Sequence, residues 1–210
     1  MSKKIVAVTG HSGCGKSTVA KMLTEKLPNA KLLLLDLPFI AAPLKFAKEF
    51  EEIFKMPLDV NDHINCLRLA MDSSSEALRN YMELIRPFLD EEVEKELVNL
   101  KADDGVDFII IEYISLPKLL VWRKADYRIM VDAPREERNT RLYERERDDT
   151  ISIHSNPKCG EIREEAVKDF MATAHDVSYM IYNCYDDHLE KEVQYLCEKI
   201  AASKNLLLPA

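Results

Sequence analysis

Glycine and proline are scarce in this chain, and their scarcity argues against a string of loosely joined modules. With 5 Gly and 9 Pro among 210 residues, the chain has little material for long flexible or proline-rich linkers. The remaining composition, 47% hydrophobic and 31% charged, suits one compact domain with room for a small appended subdomain. We therefore expect a single folded unit.

Long apolar runs are also missing, which bears on membranes and secretion. The run at 32–35 is too short to cross a bilayer, and residues 1–4 lead directly into a short apolar segment rather than a leader peptide. The five cysteines are odd in number and form no C-x-x-C pair, as is typical of reduced thiols. We expect a cytoplasmic protein with no membrane partner.

Positive charge is in the minority, which argues against nucleic acid as the main partner. The chain carries 29 Lys and Arg against 37 Asp and Glu, a net charge of -8. Its five histidines are scattered without metal-ligand spacing, so we expect no zinc site. Whether the chain is a monomer or a homo-oligomer stays open.

A complete phosphate-binding motif stands near the N-terminus. Residues 10–17 read G-x-x-x-x-G-K-S, after a short β-branched segment at 3–9 and before apolar residues at helical spacing in 18–27. A glycine-rich turn that binds nothing is the alternative, and the flanking strand and helix patterns argue against it. We expect a nucleoside triphosphate to be bound by Gly10, His11, Ser12, Gly13, Cys14, Gly15, Lys16, Ser17 and Thr18.

The motif predicts how the triphosphate is held. Loop N–H groups and the positive end of the following helix point at the phosphates. Lys16 reaches the β- and γ-phosphates, and the Ser17 hydroxyl ligates Mg²⁺.

Two further apolar segments each end on a carboxylate. Residues 31–36 end at Asp36 and residues 107–112 end at Glu112. Ligands bind beyond the carboxyl ends of parallel strands, so both side chains are candidates to hold magnesium or its waters together with Ser17. The alternatives are a helix cap or turn residue for Asp36, and an ordinary buried strand followed by a polar turn for Glu112.

Residues 38–102 are almost entirely helical in pattern. We predict helices at 43–54, about 62–71, 73 to about 87, and 90–100. This length exceeds a plain crossover between two strands, so we interpret it as a helical substrate-binding insert. Residues 1–37 and 103–210 then form the core.

An arginine-rich helix follows the fourth predicted strand, residues 127–132. Arg138, Arg141 and Arg145 share one helical face, and their forked donors match phosphate oxygens. A salt-bridged surface helix is the alternative, because glutamates interleave. Given the phosphate loop, we favour a catalytic lid at about 135–160.

A fifth strand at 179–183 and a helix at 187–202 complete an α/β fold: a three-layer P-loop NTPase with a five-stranded parallel sheet and a helical insert.

Several segments resemble two kinase families. The run 125–134, with Glu137, Arg141 and Arg145 after it, and the strand at 179–183 are similar to dephospho-coenzyme A kinase. The segment 41–47, with Arg68 and Arg79 following, is similar to the phage-type deoxynucleoside monophosphate kinases. Both resemblances imply ATP-dependent phosphoryl transfer to a small nucleotide-like acceptor.

The chain also departs from both families. Glu112-Tyr113-Ile114-Ser115 replaces the Pro-Leu-Leu and acid that usually follow the third strand of dephospho-coenzyme A kinase. Arg138 stands where that family has glutamine, and the third strand lacks the arginine of the phage-type kinases. These departures leave both acceptors open.

The resemblance and the motifs together predict a set of roles. The expected catalytic residues are Lys16, Asp36, Arg138, Arg141 and Arg145. The expected acceptor-binding residues are Asp36, Lys45, Arg68, Arg79 and Glu112. Asp36 would act as the base for a hydroxyl acceptor, whereas Lys45, Arg68 and Arg79 would position a phosphate acceptor. A regulatory nucleotide-binding ATPase is the rival from another class, although no water-orienting Gln or Asn-Lys-x-Asp motif supports it.

Overall fold

A computed structural model describes residues 3–148, 161–162, 164–168, 176–186 and 188–205. At its centre is a sheet of five parallel strands in the order β2-β3-β1-β4-β5. The strands are β1 (Lys4–Gly10), β2 (Ala30–Leu34), β3 (Phe108–Glu112), β4 (Tyr127–Asp132) and β5 (Tyr179–Tyr182). The predicted five-stranded parallel sheet is confirmed.

The central strand β1 explains why its segment is apolar throughout. Ile5 and Ala7 belong to the hydrophobic core on one face of the sheet, and Val6 and Val8 belong to the core on the other. Strands of a parallel sheet covered on both faces carry continuous apolar runs, because successive side chains point to opposite faces. β3 alternates in the same way, so both strands next to the phosphate loop are rigidly packed.

Two helical layers cover the sheet. On one face lie α1 (Lys16–Lys26) and the last helix, α8 (His188–Asn205). The other face is covered by the insert and by α6 (Leu120–Lys124), which follows a 3₁₀ turn at Leu116–Lys118. α7 (Arg135–Asp148) follows β4, and residues 161–162 and 164–168 farther along the chain are also helical. Lid residues 149–160 lie outside the described part of the chain.

The insert between β2 and β3 begins two residues earlier than predicted, and it contains α2 (Asp36–Lys45), α3 (Ala47–Phe54), α4 (His63–Met71) and α5 (Ser75–Ala102). The predicted single helix at 43–54 is wrong, because the chain bends at Phe46 between α2 and α3. The second strand also ends earlier than predicted, so that Asp36 lies in the first turn of α2.

The predicted helix boundary near Pro87 is wrong as well. α5 continues through Pro87 as one helix of 28 residues. A proline inside a helix costs about 3 kcal/mol or more. Here Ile85, Leu89 and Val93 are all buried on either side of it. Each such side chain contributes about 1.5–3 kcal/mol when fully buried, so packing outweighs the local penalty. The helix begins at Ser75, two residues after the predicted start, and the Ser74 hydroxyl caps it by accepting a hydrogen bond from the Ala77 N–H at 3.2 Å.

Aromatic side chains hold the insert against the sheet. Tyr81 of α5 packs against the rings of Phe50 and Phe54 of α3, with centroid separations of 5.6 and 5.4 Å. Phe39 of α2 contacts both Tyr81 and Tyr113, the latter directly after β3. The cluster therefore anchors three insert helices beside the carboxyl end of β3. In the described part of the chain, no helix is long and apolar enough to cross a membrane.

Candidate functional site

The phosphate loop joins β1 to α1, and two of the glycines within it show why a side chain is excluded there. Gly13 and Gly15 have φ angles of +78° and +91°, a region that residues with a Cβ rarely adopt. Space is also lacking there. A Cβ on Gly15 would lie 2.4 Å from Asn183 Nδ2, and one on Gly13 would lie 2.7 Å from the Arg138 carbonyl oxygen. The motif is therefore specified both by its own backbone and by its neighbours.

Lys16 and Ser17 meet Glu112 at the edge of the sheet. The Ser17 hydroxyl donates to Glu112 Oε2 at 3.2 Å, and Lys16 Nζ lies 3.6 Å from Oε1 of the same carboxylate. This arrangement follows from the topology. β3 lies directly beside β1, so the last residue of β3 reaches the first turn of the helix that follows β1.

The Glu112 side chain is only 4% exposed, and this burial affects the pKa of its carboxylate. Burial raises its pKa, the positive charge of Lys16 lowers it, and the negative charge of Asp36 raises it further; the net pKa is raised. Asp36 is thus close enough to affect Glu112 electrostatically. A cation bound between these groups would favour the ionised carboxylates.

A turn after β5 holds the outer side of the phosphate loop. Asn183 Nδ2 donates to the Cys14 carbonyl oxygen at 3.0 Å, and the Tyr185 hydroxyl donates to the Gly13 carbonyl oxygen at 2.5 Å. The backbone N–H of Asn183 donates to the Asp132 carbonyl oxygen at 2.8 Å. Sequence reasoning missed both side chains. The position of Asn183 could have indicated its role, because it follows a parallel strand at the same edge of the sheet as Asp36 and Glu112.

Arg138 is paired with a carboxylate. Its NH2 group lies 2.7 Å from Glu164 Oε1, and its Nε donates to the Ala133 carbonyl oxygen at 3.0 Å. Arg135 Nε binds the other oxygen of Glu164 at 2.9 Å. Burial of the Glu164 carboxylate raises its pKa, but the hydrogen bond and charge of Arg138, with Arg135, lower it overall. Arg138 is 7% exposed.

Arg138 and Glu164 also line a small cavity beside the phosphate loop. The other residues around it are His11, Ser12, Asn139, Leu142 and Val167. Burial lowers the pKa of His11, and the positive charge of Arg138 lowers it further. His11 is therefore neutral near pH 7 and adds no charge to the loop.

The other two arginines of α7 differ in what the structure describes. The Arg141 guanidinium carbon lies 3.3 Å from the centroid of the Tyr185 ring. Arg145 belongs to the backbone of α7, but its side chain lies outside the described residues.

The three cations predicted on the insert lie on three different helices. Lys45 Nζ is 4.1 Å from the centroid of the Phe88 ring. Arg79 NH2 donates to the Glu165 carbonyl oxygen at 3.5 Å, and Arg68 lies in the last turn of α4. The contacts described for Lys45 and Arg79 are with other helical segments. Lys16 and Ser17, by contrast, contact the Glu112 carboxylate directly.

Comparisons with known proteins identify a family and a relative for this chain. A family model described as AAA domain matches residues 6–169. Dephospho-CoA kinase from Aquifex aeolicus (strain VF5) is 32% identical over 139 residues, which are 63% of this chain and 68% of that protein.

Solved structures share the fold at lower identity. TT1252 from Thermus thermophilus is 21% identical with a TM-score of 0.64, over 100% of both chains. Dephospho-CoA kinase from Campylobacter jejuni is 17% identical with a TM-score of 0.56, over 96% of both chains. The phosphate loop is built on a parallel sheet, and Lys16 and Ser17 contact Glu112 at the edge of that sheet. Together with these matches, the structure shows that the chain belongs to the AAA domain family and is a P-loop kinase.

Proposed function

We propose that this kinase transfers the γ-phosphoryl group of ATP to a small nucleotide-like acceptor, most like dephospho-coenzyme A. The observation that carries the proposal is the cluster of Lys16, Ser17 and Glu112 beside Asp36. The relation to dephospho-CoA kinase from Aquifex aeolicus supports the choice of acceptor. Such an enzyme acts in the cytoplasm, where ATP and nucleotide-like acceptors are available.

The loop and Lys16 bind the triphosphate. Backbone N–H groups of residues 10–18 surround its phosphate oxygens, and the ammonium group of Lys16 balances their charge. Phosphoryl transfer depends mainly on positioning and on electrostatic stabilisation, so these contacts supply much of the catalysis.

The side chains at the strand ends suit magnesium. Ser17 and Glu112 already place two oxygen atoms 3.2 Å apart, and the charge of Asp36 acts on the same carboxylate. Hydroxyl and carboxylate oxygens are the ligands that Mg²⁺ prefers. Ser17, Glu112 and Asp36 would hold the ion or its waters, and the bound ion supplies positive charge to the phosphate oxygens.

Asp36 is the proposed base for a hydroxyl acceptor. It lies just beyond the end of β2, in the first turn of α2, where the insert begins. A carboxylate there accepts the proton of an attacking hydroxyl. Arg141 and Arg145 then neutralise charge that develops during transfer, and Arg138, paired with Glu164, positions the helix that carries them.

A deoxynucleoside or ribonucleoside monophosphate is the second candidate acceptor. The observation in its favour is the presence of Lys45, Arg68 and Arg79 on the insert, because a phosphate acceptor needs cations and no base. Under this alternative, Asp36 holds magnesium waters.

Product analysis decides between the candidates. ADP release from ATP and Mg²⁺ is measured with dephospho-coenzyme A, then with each deoxynucleoside and ribonucleoside monophosphate, and Lys16→Ala is the inactive control. We expect one acceptor to stimulate release and to appear phosphorylated. Asp36→Asn should lower kcat about 100-fold or more if Asp36 is the base. Slow ATP hydrolysis unchanged by every acceptor would refute the kinase assignment and favour a regulatory ATPase.

A further inference from the structure

The outward-facing carbonyl groups of the phosphate loop are bound by one short turn. Residues 183–185 supply both donors, from the Asn183 side chain to Cys14 and from the Tyr185 hydroxyl to Gly13. Within the turn, the Tyr185 N–H donates to Asn183 Oδ1 at 2.8 Å. The two donor residues are therefore hydrogen-bonded to each other. Each of them lies 169 or more residues away from its acceptor in the sequence.

Tyr185 adopts a backbone conformation that its side chain disfavours. Its φ angle is +59°, in the left-handed region that non-glycine residues rarely occupy. Such a conformation persists only where surrounding contacts hold it. The hydrogen bonds of Tyr185 to Asn183 and Gly13 are contacts of this kind.

The same side chain carries a second contact on its ring. Arg141 of α7 lies over the ring face at 3.3 Å, a cation–π arrangement favoured by the planar guanidinium. Burial raises the pKa of the Tyr185 phenol, so the hydroxyl keeps its proton near pH 7 and remains a donor. Tyr185 thus joins a proposed catalytic arginine to the backbone of the phosphate loop.

We infer that Tyr185 is a positioning residue with two separable roles. Its hydroxyl holds the Gly13 peptide with the carbonyl outward, which leaves the inward N–H groups of the loop available to phosphate. Its ring holds Arg141 beside the loop, where the guanidinium meets charge that develops on the transferred group. The inference rests on the proposed function, because both roles serve ATP binding and phosphoryl transfer.

Separate substitutions test the two roles. Tyr185→Phe removes the hydroxyl and keeps the ring, Tyr185→Leu removes both, and Arg141→Ala removes the cation. Tyr195 provides a matched control pair, since it is an exposed tyrosine of α8 with Lys199 Nζ 5.2 Å from its ring centroid. Tyr195→Phe and Tyr195→Leu should leave all measured quantities unchanged.

Three quantities are compared with wild type: the Kd of ATP by calorimetry, which needs no acceptor, kcat with the acceptor that product analysis identifies, and the melting temperature. We expect Tyr185→Phe to raise the Kd about five-fold, the effect of one lost hydrogen bond, with kcat little changed. Tyr185→Leu should also lower kcat. Adding Arg141→Ala to Tyr185→Leu should then lower kcat less than it does in wild type, because the arginine has already lost its support.

Each outcome bears on a different claim. An unchanged Kd in Tyr185→Phe would overturn the role of the hydroxyl. Multiplicative losses of kcat in the double variant would overturn the role of the ring. A purely structural role would lower the melting temperature without the split between Kd and kcat. Wild-type protein that binds no ATP would refute the proposed function itself, whereas ATP binding with no effect at Tyr185 would refute only this inference.

Discussion

The phosphate loop and the helical insert are held in place by different interactions. Carbonyl groups of the loop accept hydrogen bonds from Asn183 and Tyr185, and its Lys16 and Ser17 contact Glu112. The insert relies on ring contacts around Tyr81. There the phenol oxygen of Tyr81 is buried without a hydrogen-bond partner among the described residues.

Because the two regions are held by different interactions, they control different properties of the protein. Hydrogen bonds and ion pairs are directional, so they fix the orientation of the groups that we propose bind phosphate. Aromatic packing buries a large area and positions whole helices, but it places few polar atoms. Substitutions in the loop should therefore change activity more than stability, and substitutions in the insert cluster should do the reverse.

The largest expected effect is on activity. Lys16→Ala removes the ammonium that we propose balances phosphate charge, so we expect kcat to fall roughly 1000-fold or more. The assay is ADP release with the identified acceptor. Lys21→Ala, an exposed residue of the same helix, is the matched control. An unchanged kcat in Lys16→Ala would mean that the loop does not act in phosphoryl transfer.

The next largest effect is on stability. Phe50 is fully buried and contacts the rings of Phe54 and Tyr81. Phe50→Ala should lower the free energy of unfolding by about 3–5 kcal/mol, as measured by urea denaturation. Val98→Ala, at an exposed position of α5, should change it little. If Phe50→Ala weakened ATP binding more than it lowered stability, the contrast between the regions would fail.

A smaller effect should depend on pH. The pKa of Glu164 is lowered in the folded protein, so its pairing with Arg138 stabilises the fold above the ordinary glutamate pKa. This stabilisation is lost as the pH falls through the lowered pKa. Glu164→Gln should therefore lower Tm by a few degrees at pH 7, about 2–4 °C per kcal/mol, and the difference should disappear in acid. The control is Glu165→Gln, which affects only an exposed pair with Lys168. A pH-independent difference would exclude the ion pair as its cause.

The smallest effect tests the unpaired phenol of the insert. Tyr81→Phe removes a buried hydroxyl that has no partner, so Tm should stay the same or rise slightly. Tyr127→Phe is the contrasting variant, because the Tyr127 hydroxyl is hydrogen-bonded to Ser203. That substitution should cost about 0.5–1.5 kcal/mol. A clear loss of stability in Tyr81→Phe would show that its hydroxyl does have a partner in solution.

Prediction from the sequence succeeded for elements whose structure is determined by neighbouring residues in the chain. β1, the phosphate loop and α1 form one local unit, and the sheet follows from apolar runs of strand length. The candidate base Asp36 and the cations of the insert stay predictions, since their roles depend on an acceptor. The continuation of α5 through Pro87 was missed, because local propensity does not include the packing of Ile85 and Leu89.

By itself, the sequence determined the family, the parallel sheet and the position of the P-loop, because glycine spacing, β-branched runs and helical periodicity act over neighbouring residues. Only the tertiary structure decided that Glu112 meets Lys16 and Ser17, that Glu164 binds Arg138, and that Tyr185 joins Gly13 to Arg141. These contacts connect residues that are distant in sequence. The contacts of Glu112 and of Tyr185 form because strands β3, β1, β4 and β5 lie side by side and bring the segments that follow them to one edge of the sheet.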